Sequence, residues 1–261
     1  MDAVVIQSYR TERVPAWIER CHASVRDWAA LKGWRYVFYG DELFDMTPQW
    51  YRARVAGRMP ILADLGRLMA ARNLLRDGAD RVAWVDADVL VFDADRMALE
   101  IESGYAFARE IWVQPDARKG RLKAFRNVHN AVCVFDRGNA MLDFYIHACE
   151  RVIARVEGGV PNQIVGPKLL TTLHNLIGFE LIEDVGMVSP LVARDIVAGG
   201  GPALDRLNVE TGRPLVATNL CASLVGRKTD GVFVDESLME RVIDRVLAAP
   251  RSVFGEPDLG G

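Results

Sequence analysis

The sequence predicts an α/β fold, with a Rossmann-like, mostly parallel central sheet flanked by helices. Three observations carry that expectation. Apolar runs of strand length alternate along the chain with segments whose apolar residues recur at helical spacing. Several of the strand runs are continuously apolar rather than alternating, as in a sheet covered on both faces. Short polar clusters follow the first three strands at once, where open parallel sheets place their ligands.

The elements follow in order. Residues 4–6 form a first strand, and residues 15–31 a helix with Trp17, Cys21, Val25 and Trp28 on one face. Residues 34–39 are aromatic and β-branched, a second strand stopped by Gly40-Asp41. Pro60 opens a helix whose Ile61, Leu65, Leu68, Met69 and Leu75 keep helical spacing until Gly78 closes it. A third strand leads into Asp86-Ala87-Asp88, and residues 105–108 and 131–135 read as further strands. Helices are expected over 139–156 and 163–176, with a short strand at 179–182. Gly199-Gly200-Gly201-Pro202 is the clearest break, followed by a strand at 215–218 and an amphipathic helix at 236–248. Residues 1–249 are expected as one domain and 250–261 as a loosely held tail.

At 261 residues the chain can bury a full core. A net charge of −3 with scattered arginines gives no basic face for nucleic acid. No stretch reaches the ~20 apolar residues of a transmembrane helix, and Met1 runs straight into Ala3-Val4-Val5-Ile6 without a leader pattern. The four cysteines, Cys21, Cys133, Cys149 and Cys221, show no Cys-x-x-Cys spacing, and reduced core thiols in a cytoplasmic protein are expected.

The stretch 81–92 is the most informative. Two apolar runs flank two carboxylates one residue apart. Burying an unpaired carboxylate is costly, so Asp86 and Asp88 are placed at the strand's carboxyl end, facing an open site. Alternate residues of an extended chain point the same way, so both side chains face one side. Such a pair suits Mg²⁺ or Mn²⁺, with phosphate oxygens completing the shell. The other reading is a turn in which Asp86 caps and Asp88 is solvated. Neither His22, His147 nor His174 falls in a zinc-ligand pattern.

With these pieces in order the chain resembles the GT-A glycosyltransferases, most closely the family with a DXD-containing sugar-binding region. The matching blocks are Val4-Val5-Ile6-Gln7-Ser8-Tyr9-Arg10, Ala63-Asp64-Leu65-Gly66-Arg67 and Trp84-Val85-Asp86-Ala87-Asp88-Val89. Asn130-Ala131-Val132-Cys133-Val134-Phe135 and Gly166-Pro167-Lys168-Leu169-Leu170-Thr171 resemble two later blocks. Two departures stand out. Arg76-Asp77-Gly78-Ala79-Asp80-Arg81 replaces the family's Tyr-Gly-Gly-x-Tyr run, and the late segment Thr218-Asn219-Leu220-Cys221-Ala222-Ser223-Leu224 lacks the histidine that often joins the metal.

The resemblance implies a single GT-A-type domain with a nucleotide-sugar half at about 1–110 and a smaller acceptor side at about 111–249. It implies a metal-dependent hexosyltransferase, retaining in outcome, that moves a sugar from a UDP- or GDP-linked donor to a hydroxyl on a glycan or lipid-linked acceptor. Asp86 and Asp88 would be the catalytic, metal-holding pair, with Asn219 as a further oxygen ligand to Mn²⁺ or Mg²⁺. Gln7, Ser8 and Tyr9 would hold base and ribose. Asp64 and Arg67, three apart on one helix face, would meet donor sugar and phosphate, and Asn130 would face the reacting centre. Lys168, at a helix start, and Ser223 would contact phosphate. Such an enzyme would work in the cytoplasm, at most peripherally on a membrane.

Each of these residues also has a plainer reading: a surface ion pair for Asp64 and Arg67, a strand-end turn for Gln7 to Tyr9, a satisfied loop asparagine for Asn130, a solvated lysine for Lys168. Glu110, Asp116 and Asp184 are candidate bases by residue type alone. Residues 110–127, with Arg109, Arg118, Lys119, Arg121, Lys123 and Arg126 in or beside them, are expected to be a charged loop, mobile over a diphosphate or simply solvated. A non-catalytic nucleotide- or glycan-binding relative stays open beside the transferase. A sugar-nucleotide pyrophosphorylase is disfavoured, because Gln7-Ser8-Tyr9-Arg10 has no glycine to wrap phosphate.

Overall fold

The computed structural model describes residues 1–116, 120–161 and 163–255. Its first half builds the expected unit: β1 (Ala3–Ser8), α1 (Ala16–Leu31), β2 (Arg35–Tyr39), a 3₁₀ turn at Asp41–Met46, α2 (Gln49–Arg54), α3 (Met59–Arg76), β3 (Arg81–Val85) and β4 (Val89–Val91). A long antiparallel pair follows, β5 (Tyr105–Asp116) and β6 (Arg121–Asp136), then α4 (Met141–Arg155), α5 (Pro167–Ile177), β7 (Leu181–Ile182) and β8 (Val185–Met187). The chain continues through α6 (Pro190–Ala198), α7 (Pro202–Thr211), β9 (Ala217–Asn219), β10 (Arg227–Thr229), β11 (Val232–Val234), α8 (Glu236–Ala248) and α9 (Pro250–Phe254).

The central sheet has the order β2-β1-β3-β6-β5-β7. β2, β1 and β3 run parallel, β6 runs antiparallel to both its neighbours, and β7 is parallel to β5, so five of the six strands share one direction. This is the mostly parallel, helix-flanked α/β sheet that the sequence predicts. Its continuous apolar runs are explained by burial on both faces. Val4, Ile6, Val82 and Trp84 pack with Leu65 and Leu68 of α3, while Val5, Ala83 and Val85 face Val25 and Trp28 of α1. The Trp28 indole N–H satisfies itself on the Met97 carbonyl at 2.8 Å. Among the described residues no helix is long and apolar enough to cross a membrane.

A second, three-stranded sheet, β4-β9-β8, sits just past the acidic pair. β4 and β9 are antiparallel with Val89 opposite Asn219, which brings the late segment back against residues 86–88. The expected glycine break separates α6 from α7. Gly199 ends α6 at φ 85°, and the buried Asp195 carboxylate accepts the Ala203 and Leu204 N–H groups at 2.7 and 3.3 Å, closing the start of α7.

Three expectations need correction. Residues 110–127 are not a loop: within the described residues they belong to a two-stranded ribbon in which Glu110 faces Asn127 and Asp116 faces Arg121. Ile111 and Val113, with Leu122 and Ala124 from the partner strand, pack one side of that ribbon into the core, which a charge count cannot reveal. Arg118 and Lys119 lie outside the described residues. Nor is residue 250 the start of a loose tail, because α9 buries Val253 and Phe254, and the Phe254 carbonyl accepts the Leu215 N–H at 3.3 Å. Helix 163–176 begins four residues late, at Pro167, since the residue before a proline is steered out of helical geometry.

Candidate active site

β3 ends at Val85, and Asp86 leaves the sheet in a tight turn rather than as extended strand. The turn is pinned from several sides. The Asp86 N–H donates to the Ala131 carbonyl at 2.7 Å, and the Asp86 carbonyl accepts from the Gln7 amide at 3.1 Å. The Asp88 carbonyl accepts the Leu220 N–H at 2.9 Å. Both carboxylates then line a cavity of about 560 Å³ that Asp64, Arg67, Asn130, Asn219 and Ser223 also line.

Arg67 organises one side. It is buried on α3, with its guanidinium 2.9 Å from Asp86 Oδ1 and 3.4 Å from Asp64 Oδ1. It also donates to the Asn130 carbonyl at 2.5 Å and lies over the Trp84 ring at 5.0 Å. Trp84 completes the set by donating its indole N–H to Asp86 Oδ1 at 2.7 Å. The Asn130 amide donates to Asp64 Oδ1 at 2.8 Å. The Asp64–Arg67 pair is therefore no surface ion pair. Gly166 presses against it, for a Cβ there would stand 2.8 Å from Asp64 Oδ2.

The other side belongs to Asp88. Its Oδ1 accepts from the Asn219 amide at 2.7 Å and its Oδ2 from the Ala222 N–H at 2.6 Å. Asn219 thus turns its nitrogen, not its oxygen, toward the acidic pair; its oxygen accepts the Cys221 N–H at 2.7 Å. The expected role of Asn219 as a carbonyl ligand is corrected accordingly: in this arrangement it holds Asp88.

The remaining expected residues divide. Ser223 reaches the cavity from the 3₁₀ turn Ala222–Leu224. Gln7 is fully buried, accepting from the Tyr36 hydroxyl at 2.9 Å while it holds the Asp86 backbone, so it supports the turn and cannot meet a base. Ser8 and Tyr9 are half-buried at the end of β1 and lie outside the cavity lining. Tyr9 packs edge-on to His22 at 6.0 Å. Lys168 is exposed on the first turn of α5, whereas its neighbour Pro167 lines the cavity. Of the carboxylates named by type, Glu110 lines the cavity and accepts from the Asn127 amide at 2.7 Å; Asp116 and Asp184 do not line it. Trp84, Trp112, Gln114, Phe125, Asn127 and His129 escaped the sequence reading. Only the period-two alternation of Glu110, Trp112 and Gln114 could have signalled the ribbon wall.

The electrostatics follow from crowding. Burial raises the Asp86 carboxyl above its ordinary range against the pull of Arg67 and Trp84. Burial, then the charge of Asp86, raises Asp88 despite the Ala222 and Asn219 hydrogen bonds. Asp64 is raised by burial as well, against Arg67 and Asn130. Burial opposes charge on Arg67, but Asp86 and Asp64 outweigh it and hold the guanidinium charged. Burial also pushes His129 down to about 4, keeping the imidazole neutral.

Arg67 pairs with two of the three carboxylates, Asp64 and Asp86, so together with Asp88 they carry two more negative charges than that guanidinium offsets when all three are ionised. A divalent ion matches that deficit, and among the described residues no donor hydrogen-bonds Asp86 Oδ2. No group of three or more His, Cys, Asp or Glu side chains forms a metal cage among the described residues. Asp86 and Asp88 offer two carboxylates on one cavity wall, the hard oxygen-donor type that Mg²⁺ or Mn²⁺ takes.

No family model matches the chain, and no curated protein matches it. Among solved structures it is similar to a glycosyltransferase involved in glycosylation of the major capsid of PBCV-1, at 8% identity and TM-score 0.48, over 94% of this chain and 98% of that one. It is also similar to mouse xyloside xylosyltransferase 1, at 9% identity and TM-score 0.42, over 85% of this chain and 98% of that one. A third is the glycosyltransferase GlyE of Streptococcus pneumoniae TIGR4, at 12% identity and TM-score 0.39, over 95% of this chain and 64% of that one.

Proposed function

We propose that the chain is a metal-dependent glycosyltransferase, moving a sugar from a UDP- or GDP-linked donor to a hydroxyl of a glycan or lipid-linked acceptor. The observation that carries this reading is that Asp64, Asp86 and Asp88 line one cavity of substrate size with a single guanidinium, Arg67, paired to the first two. A diphosphate cannot approach such a cluster unaided, and a divalent ion reconciles the two. When bound, that ion supplies Lewis-acid stabilisation to the departing diphosphate.

The chain's own residues do the rest. Asp86 and Asp88 would hold the ion, and Asn219 and the Ala222 N–H fix the Asp88 carboxylate in one orientation. Arg67 pairs with Asp86 and aims its carboxylate. Asp64 and Asn130 line the cavity beside the pair and are suited to hydroxyls of the donor sugar. Ser223, also on the cavity wall, is assigned to a phosphate oxygen. Retention of anomeric configuration, the outcome implied by the sequence resemblance, is part of the proposal.

Incubation with UDP- and GDP-hexoses and Mn²⁺ tests it by chromatography of released nucleotide. Release of UDP or GDP that chelation abolishes, with the product anomer conserved by NMR, is the expected result. Tight nucleotide binding without any release would instead identify a binding relative of the fold.

A further inference from the structure

We propose that the cavity-facing side of the β5–β6 ribbon is a sugar-binding platform that receives the acceptor glycan. The proposal rests on the transferase reading and adds the acceptor's chemical class and the residues that meet it.

The ribbon sorts its side chains strictly by face. Ile111, Val113, Leu122 and Ala124 turn into the core. The alternate positions form three directly opposed pairs, Glu110 with Asn127, Trp112 with Phe125, and Gln114 with Lys123. Glu110, Trp112, Gln114, Phe125 and Asn127 line the same cavity as Asp86 and Asp88. Lys123 lays its ammonium 4.1 Å from the centroid of the Phe125 ring.

Two half-exposed aromatic rings flanked by a carboxylate, two amides and a lysine make a poor core and a poor solvated face. They make a good complement to a pyranose, whose one face is C–H and whose rim is hydroxyl. Aromatic faces carry negative potential that attracts such C–H groups. Carboxylate and amide side chains offer the acceptors and donors that sugar hydroxyls use. The ribbon also lies on the proper flank. β1 and β2 are on one side of β3, and β6 and β5 on the other. Nucleotides in open sheets occupy the crevice outside the parallel strand ends. The ribbon wall, across the carboxylate pair from that crevice, is left to the second substrate.

¹⁹F NMR of the full chain labelled with 5-fluorotryptophan tests this, the Trp112 resonance being assigned with Trp112→Phe. The probes are methyl α- and β-glycosides of glucose, galactose, mannose and xylose and their disaccharides, with glycerol as control. The expected result is a saturable shift of the Trp112 resonance by sugars and not by glycerol. Phe125→Ala should weaken that response about tenfold and leave UDP or GDP binding with Mn²⁺ unchanged. An aromatic platform accepts many pyranose faces weakly, so a resonance that no sugar moves overturns the proposal. So does a resonance moved by nucleotide alone, with Phe125→Ala weakening nucleotide binding, because the ribbon would then hold the base. Sugar shifts without any nucleotide binding would sink the transferase reading and leave the platform standing.

Discussion

The guanidinium of Arg67 stands 2.9 Å from Asp86 Oδ1, the arginine buried and the aspartate partly open to the cavity at the end of β3. A helix residue and a strand-end residue nineteen positions apart in sequence thereby share one charge-assisted contact. The same guanidinium reaches Asp64 and the Asn130 carbonyl, so α3, the end of β3 and β6 meet on one side chain.

Removing that side chain should be expensive. Arg67→Ala leaves the buried Asp64 and the partly buried Asp86 without their counter-charge, a change that costs about 3–5 kcal/mol where such a pair is buried. Urea unfolding of the variant should show a midpoint lowered accordingly. A loss under about 1 kcal/mol would mean that the pair is solvated in solution.

Gly166→Ala isolates the Asp64 side of the cavity. The added methyl would stand 2.8 Å from Asp64 Oδ2, so the carboxylate or the start of α5 must shift. Overpacking of this kind costs about 1–3 kcal/mol. The expected outcome is a fall in donor turnover larger than the fall in nucleotide affinity, measured by kcat and KM side by side. Unaltered kinetics would show that Asp64 has no part in the reaction.

His129 predicts an acid-side loss of stability. Its folded pKa, about 4, lies below the ordinary value of 6.5, so the native state binds the proton less readily than the unfolded chain. The stability it contributes is complete above about pH 6.5 and is lost as pH falls through 4, for a total of about 3 kcal/mol. The raised carboxyls Asp64, Asp86 and Asp88 have the opposite sign, since they favour the protonated native state. Subtracting the pH–stability curve of His129→Asn from that of the unaltered chain separates the histidine. A flat difference between pH 6.5 and 4 contradicts the assignment.

How much of this could be read beforehand depended on sequence distance. The acidic pair, the Asp64–Arg67 spacing and the strands around them are local patterns, and periodicity and burial cost sufficed to place them at a sheet end. The turn itself was harder. Asp86 and Asp88 share the cavity because Gln7, Ala131 and Leu220 hold the turn's backbone, not because an extended chain alternates. Gln7 looked like a ligand group because a polar residue at a strand end has no visible partner; Tyr36 and Asp86 supply one only after folding. Asn219 meets Asp88 across 131 residues through the β4–β9 register, which no local signal encodes. The ribbon was missed for a related reason: its lysines and arginines dominate the composition, while its alternation becomes meaningful only when two strands pair.

Mn²⁺ binding followed by electron paramagnetic resonance tests the central claim most directly. The account predicts that Mn²⁺ binds weakly to the chain alone, much more tightly when UDP or GDP is added, and not in Asp88→Asn with the nucleotide present. Binding of Mn²⁺ and nucleotide that is indifferent to Asp88→Asn and to Asp86→Asn would contradict it, for the carboxylates at the end of β3 would then hold no ion.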